Sequence, residues 1–414
     1  MTMTRKNAPL NPFFLSPNIP DDYFCDRQEE TRMLSRLVTN GSNVLLMSPR
    51  RMGKSGLIHH LFDRPEIKER YYTFFIDIYE TSSLEELVQM LGREIVGKLS
   101  RHGLGPLTAF LRSLASLRGV FSLDPSSGMP SFSVGIGELS RPEATLDEIF
   151  AYLEKADRPC IVAIDEFQKV ADYEQKNVEA VLRSRIQLLR NTTFIFSGSE
   201  RSVLAQMFGS ASRPFYQSTT AMSLGPIDRA VYADFAVSLF AGGGKRLARE
   251  ATLDLYDLVQ GYTYYLQRSM NAAYSLLPAG QLCDHAFLFE RVDEILTAQS
   301  DTYQDLLSAL TPNQRALLAA VALEGVSSSI TSTEFVQRHG LGPVSSVQSA
   351  ARSLLKRQLL TRDPQKRYYL DDKFLELWLA RPSGMTLDLR LEQNRRRKGI
   401  GLGREIPGQA RNDG

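Results

Sequence analysis

The stretch Ser48-Pro49-Arg50-Arg51-Met52-Gly53-Lys54-Ser55-Gly56 places a glycine, a lysine and a hydroxyl in consecutive positions. That order suits a loop that binds phosphate. Backbone N–H groups of such a turn and the positive end of the helix behind it face an anion together. Lys54 would neutralise the β- and γ-phosphates as a point charge, and the Ser55 hydroxyl would ligand Mg²⁺. The usual pattern has Gly where Ser48 stands. A small serine costs little there if the position does not need a positive φ.

A second pair, Asp165-Glu166, closes the apolar run Ile161-Val162-Ala163-Ile164. Adjacent acids at the carboxyl edge of a parallel sheet divide labour: Asp165 for the Mg²⁺ shell, Glu166 to orient or deprotonate water. Taken alone they also fit a solvated strand end. A third run, Thr192–Phe196, is tipped by Ser197-Gly198-Ser199. Ser199 first and Ser197 second would hydrogen-bond a γ-phosphate or water, or the segment is a turn capping the next helix. Arg201 and Arg213 are the nearest cations that could stabilise a transferring phosphoryl group, and equally could make ordinary surface ion pairs.

The elements that must hold these groups alternate. Val44–Met47, Tyr72–Ile78, Cys160–Ile164, Phe194–Phe196 and Thr220–Leu224 are short apolar runs separated by amphipathic helical stretches. That predicts an α/β unit with a parallel sheet covered on both faces. Residues 1–20 read as a loose arm and 21–226 as the core. The Gly- and Pro-containing stretch of about 104–138 reads as an insertion or flap, with Ser131–Ile136 alternating like an exposed strand. Residues 227–300 show four helical periodicities broken at Gly242-Gly243-Gly244 and Pro278-Ala279-Gly280. Residues 301–382 read as helices over Pro312–Ala322, Ser332–His339 and Val344–Arg357, then a hairpin across Asp363–Lys366, which is a winged-helix plan. The polar stretch 383–414, with Arg395-Arg396-Arg397-Lys398, reads as a disordered tail.

Across 414 residues, 43% hydrophobic and 23% charged content is that of an ordinary globular protein. A net charge of +2 carries no polyelectrolyte signature for nucleic acid or membrane. Cys25, Cys160 and Cys283 are scattered, form neither a disulfide framework nor a metal cluster, and fit packing in a reducing cytosol. Neither a signal-peptide h-region nor a run of about 18 apolar residues occurs, so a soluble cytoplasmic protein without membrane contact is expected.

The order of phosphate loop, Asp-Glu strand, Ser-tipped strand, helical lid and winged helix resembles the AAA+/STAND class of P-loop ATPases. Within it the chain is similar to the archaeal-type ATPase family, also found in bacteria. Further similarities are Phe24-Cys25-Asp26-Arg27-Gln28-Glu29-Glu30, Arg50-Arg51, Arg213-Pro214-Phe215-Tyr216-Gln217, Gly261-Tyr262-Thr263-Tyr264-Tyr265-Leu266-Gln267 and Phe374-Leu375-Glu376-Leu377-Trp378. The resemblance spans about residues 21–380. It implies ATP rather than GTP, an adenine pocket lined by the opening box, and a lid whose Gly261–Gln267 turn abuts the nucleotide. Many relatives carry Arg where Gln217 stands, which weakens an arginine-finger role there. The separation of Lys54 from Asp165 is long for the class, as an insertion requires.

Two functions follow. One is an ATP-binding, Mg²⁺-dependent ATPase acting as a nucleotide-driven switch, with a protein partner docked through the winged helix and room for oligomer formation. The other is a DNA-binding winged-helix regulator with a largely structural nucleotide site. Arg352, Lys356, Arg357, Arg362, Lys366 and Arg367 would supply its phosphate contacts on duplex DNA, while Asp371, Asp372 and Glu376 follow at once.

Overall fold

In the computed structural model, the described residues are 9–114, 121–123, 130–132, 141–363 and 365–381. The start of the arm, much of the 104–138 stretch and the tail with Arg395–Lys398 lie outside them. The described chain forms two compact units. One runs to Tyr232 and also takes Gly261–Tyr264; the other takes Ala233–Gln260 and everything from Tyr265.

The first unit begins with α1 (Gln28–Thr39), β1 (Val44–Met47), α2 (Lys54–Asp63), α3 (Pro65–Lys68) and β2 (Tyr72–Asp77). Then come α4 (Leu84–Leu99), α5 (Leu104–Ser113), β3 (Phe121–Leu123), β4 (Pro130–Phe132) and α6 (Pro142–Lys155). It closes with β5 (Cys160–Asp165), α7 (Val178–Ile186), β6 (Thr192–Gly198), α8 (Arg201–Gly209) and β7 (Thr220–Ser223). The expected parallel sheet is present, in the order β2-β5-β6-β1-β7. Its interior strands β5 and β6 are buried along their whole length, while edge strands β2 and β7 expose alternate or most residues. Strand pleating sends Ile161 and Ala163 into one core with Leu57, Ile58 and Leu61 of α2. Val162 and Ile164 enter the opposite core with Leu91 and Ile95 of α4 and Ile149 of α6.

The 104–138 stretch differs from a flap over its first part. Leu104–Ser113 is a helix whose Leu107 and Phe110 are buried in the main core. Apolar residues three apart share one face of a helix, so this segment has a side to bury despite its flanking glycines. β3 and β4 pair antiparallel as a separate two-stranded sheet; of Ser131–Ile136, only the first two residues lie in β4, and the others are outside the described residues.

The rest of the chain follows as α9 (Arg229–Gly242), β8 (Arg246–Leu247), α10 (Arg249–Leu258), α11 (Thr263–Leu276), β9 (Leu282–Cys283) and α12 (His285–Ala298). The two-residue strands pair in parallel and were not legible as strands. Then come α13 (Ser300–Ser308), α14 (Pro312–Glu324), α15 (Thr333–Arg338), α16 (Val344–Lys356), β10 (Thr361–Arg362), β11 (Tyr368–Tyr369) and α17 (Lys373–Leu379). Thr311 and Gln314 close a capping box on α14, and Ser332 caps α15, so these helix starts are fixed locally. β10 and β11 form the wing, and Ser327 adds a bridge to Tyr368. No helix among the described residues is long and apolar enough to cross a membrane.

Candidate active site

β1 runs straight into the turn 48–53, and α2 starts at Lys54. Gly53 lies at φ 92°, ψ 24°, a left-handed geometry that favours glycine. Ser48 is buried and is not among the residues with positive φ; its hydroxyl donates to the carbonyl of Pro49 at 3.1 Å. The serine is therefore accommodated without backbone strain. Arg51 does sit at φ 65°, and Glu166 at φ 56°. Non-glycine residues held in this region mark sites where the surroundings over-determine the backbone.

Lys54 is buried, and its ammonium donates to the carbonyls of Ser48 at 3.1 Å and Pro49 at 3.2 Å. Gly56 lies under Phe24, whose ring stacks on His60 with centroids 4.0 Å apart. Phe24 and Asp26 of the opening box line a cavity of 730 Å³ together with Thr31, Arg36, His60 and Arg64. Arg27 of that box is structural: it pairs with Glu30 at 2.8 Å and donates to the Gly225 carbonyl at 2.7 Å, pinning α1 to the chain beyond β7.

The strand order decides how the acids meet the loop. β6 lies between β1 and β5, so its tip separates Lys54-Ser55 from Asp165-Glu166. The Ser55 hydroxyl donates to Asp165 Oδ2 at 2.6 Å, and the Ser197 hydroxyl donates to Asp165 Oδ1 at 2.6 Å. The Ser199 hydroxyl donates to Glu166 Oε2 at 2.9 Å and accepts from Arg50 Nε at 3.3 Å. Ser48, Lys54, Ser55, Asp165, Glu166, Ser197, Ser199 and Arg50 thus form one connected site.

Arg201 and Arg213 are not joined to it. Arg213 pairs with Glu179 of α7. Arg201 opens α8 with an exposed side chain that makes no hydrogen bond or ion pair among the described residues. Gln217 sits at φ 51° in the turn after α8, its amide donating to Tyr216.

Two groups at the site carried no signal in the sequence. Asp77 ends β2 in register with Asp165. Desolvation, and then the charges of Asp165 and Glu166, push its carboxyl above the usual range, although a backbone bond from Tyr79 opposes this. Gln168 is buried and donates to Glu166 Oε2. It lies so close to β6 that a Cβ on Gly198 would meet its Oε1. Gln168 thus occupies the space that a side chain at position 198 would take.

The Gly261–Tyr264 turn is part of this same unit. Tyr264 N–H donates to the Arg51 carbonyl at 3.0 Å, the Thr263 hydroxyl donates to the Met52 carbonyl at 3.3 Å, and the Arg51 guanidinium lies 5.3 Å from the Tyr264 ring centre. The three cysteines are free and buried, and burial is the leading cause that pushes each thiol up to about 12, so they pack rather than react.

The residues present fit a magnesium nucleotide. Ser55 and Asp165 are hard oxygen donors, and no cluster of three or more His, Cys, Asp or Glu suited to a metal occurs among the described residues. Such a donor set suits Mg²⁺, which keeps water and phosphate oxygens in its shell. Arg50 Nη2 is buried with no hydrogen-bond partner among the described residues, a donor left over for an anion.

Residues 301–381 match a family described as a probable winged helix domain. The Walker-type ATPase PABY2304 of Pyrococcus abyssi superposes with a TM-score of 0.62 at 18% identity, over 89% of this chain and 99% of that one. This chain therefore shares the fold of that Walker-type ATPase, an α/β core built on a parallel sheet, with a winged helix at residues 301–381. The ORC2 protein of Aeropyrum pernix, solved as ADPNP–ADP complexes, gives 0.55 at 14% identity, over 87% of this chain and 95% of that one. The ORC1 protein of the same organism, solved with DNA, gives 0.50 at 12% identity, over 92% and 98%. A search of the curated proteins finds no match.

Proposed function

We propose that this protein binds ATP with Mg²⁺ at Ser48–Gly56 and hydrolyses it, the nucleotide state acting as a switch on its C-terminal half. The observation that carries this function is the Ser55–Asp165 hydrogen bond at 2.6 Å. It joins the hydroxyl of a phosphate-loop sequence to the strand-end acid across an intervening strand. Ser55 and Asp165 would hold Mg²⁺, which would supply neutralisation of the phosphate charge.

The chain's own groups then have distinct tasks. Loop N–H groups from Pro49-adjacent Arg50 to Gly56, with the Lys54 ammonium, cradle the phosphates. Ser55 and Asp165 hold the metal, and Ser197 orients Asp165 through its second oxygen. Glu166 takes a proton from the attacking water, with Ser199 and Gln168 fixing its carboxylate. Arg213 is tied to Glu179, so of the two arginines outside this network Arg201 is the one whose guanidinium is open to an anion.

On this basis residues 21–226 are the catalytic core, 227–300 the lid, and 301–382 the responding module, in a protein of the cytoplasm. A protein partner on the winged helix, or further copies of the chain, would receive the response. DNA is the second candidate, favoured by Arg352 and Lys356 standing exposed on α16. Lys54→Ala tests the main function by calorimetric titration with Mg-ATP. Affinity should fall by about 10²-fold or more, the range for removing one partner of a desolvated charge contact. Undiminished affinity in a folded variant would overturn it.

A further inference from the structure

Arg50 has an arrangement that a simple phosphate-binding role does not explain. Its Nε donates to Ser199 Oγ at 3.3 Å, and the same hydroxyl donates onward to Glu166 Oε2 at 2.9 Å. One face of the guanidinium lies 5.5 Å from the centre of the Tyr79 ring. Its Nη2 is shielded from solvent and has no hydrogen-bond partner among the described residues. A buried donor left unpaired costs free energy, so a side chain that served only to pin the loop to β6 would carry that cost without return.

We propose that Arg50 senses the terminal phosphate of the bound nucleotide and positions Glu166 through Ser199. This rests on the ATP reading above and adds to it an internal cation for the γ-phosphate, in place of Arg201 and Arg213, which lie outside the network. A guanidinium is a rigid plane, so Nε and Nη2 move as one body. An anionic oxygen accepting from Nη2 therefore fixes Nε as well, which fixes the Ser199 hydroxyl and the carboxylate it bonds. Gln168 holds the same Glu166 oxygen from the other side, so the carboxylate is clamped between β6 and the turn after β5. The diphosphate product lacks the oxygens that would engage Nη2 and leaves the relay without its anchor.

The test uses the full chain with Mg²⁺, titrated with ADP and with a non-hydrolysable ATP analogue, alongside steady-state hydrolysis. Arg50→Ala should lose about 10-fold or more in affinity for the analogue, the equivalent of one charge-assisted hydrogen bond. Its affinity for ADP should change by less than about 2-fold. Arg50→Lys should not restore discrimination, because one ammonium does not reproduce the planar fork. Ser199→Ala should keep the analogue-to-ADP ratio and lower kcat with KM unchanged, as expected for a residue that acts only through Glu166. Arg50→Gln, uncharged but of similar reach, replaces the alanine variant if that one fails to fold.

Equal losses for both nucleotides, or no loss, in a folded Arg50 variant would overturn the sensor role. In that case wild-type binding and its dependence on Lys54 would still stand. Absence of nucleotide binding by the wild type would instead sink the ATP function itself.

Discussion

The sheet edge of the first unit and the winged helix of the second handle charge in opposite ways. At the sheet edge, charged and polar groups are drawn inward and linked in series: Ser55 and Ser197 share Asp165, and Arg50 reaches Glu166 through Ser199. Each group there has its orientation set by another, the preorganisation that chemistry on a charged substrate requires. On the winged helix the cations are spread and settled one by one. Arg367 pairs with Asp363, Arg362 lies over the Tyr368 ring, and Arg357 donates to the Ala309 carbonyl. Arg352, Lys356 and Lys366 stand exposed. Such a face can meet a partner but does not position a reacting atom. Positive charge alone therefore says little about role, whereas connectivity among buried groups says a great deal.

The winged helix does contain one buried ionic device, and breaking it gives the largest effect expected. Lys373 is fully buried and bonds Glu376 at 2.8 Å within α17. Lys373→Ala removes one member of this buried pair, a change that costs about 3–5 kcal/mol. Trp378, the single tryptophan, lies in the same helix with its indole N–H bonded to Ser300, so fluorescence during urea unfolding reads this unit directly. Replacing both partners with apolar residues should recover most of the loss. A single variant of unchanged stability would show that the pair is not a structural counterpart to the linked acids of the sheet edge.

Glu166→Gln probes the linked region. The amide keeps the shape and can still accept from Ser199, but it takes no proton. ATP binding should persist while turnover falls by about 10²-fold or more. Unchanged turnover would reduce Glu166 to a strand-end carboxylate, and the contrast between the two regions would lose its functional meaning.

The smallest effect belongs to the exposed cations. Charge reversal at Arg352 and Lys356 should make the log–log salt dependence of duplex-DNA binding shallower by roughly one unit per lost phosphate contact. If the wild type has no affinity for DNA even at low ionic strength, the DNA function fails and the wing is left as a protein-docking surface.

How far these features were legible follows from how local they are. β1 with its Gly53-Lys54-Ser55 continuation, the acid-tipped β5 and the three helices and hairpin of the winged helix each depend on periodicity and capping within a dozen or so residues. The two-residue strands β8 and β9, and α13, had no comparable signal. α5 was masked by the glycines and prolines around it, because composition outweighed the spacing of Leu107 and Phe110.

The sequence alone determined that a phosphate-type loop follows a buried strand, that two acids end another, and that a winged helix closes the described chain. Each rests on neighbours that interact within one element. Tertiary structure alone decided which of them meet. Arg50 reaches Ser199 across 149 positions and Ser55 reaches Asp165 across 110, because β6 is laid between β1 and β5. Gln168 fills space that Gly198, lacking a side chain, leaves beside β6, and Arg213 pairs with Glu179 because α7 presents a buried carboxylate there. Strand order is set by how two hydrophobic faces are covered, a property of the whole sheet that no single stretch of residues contains.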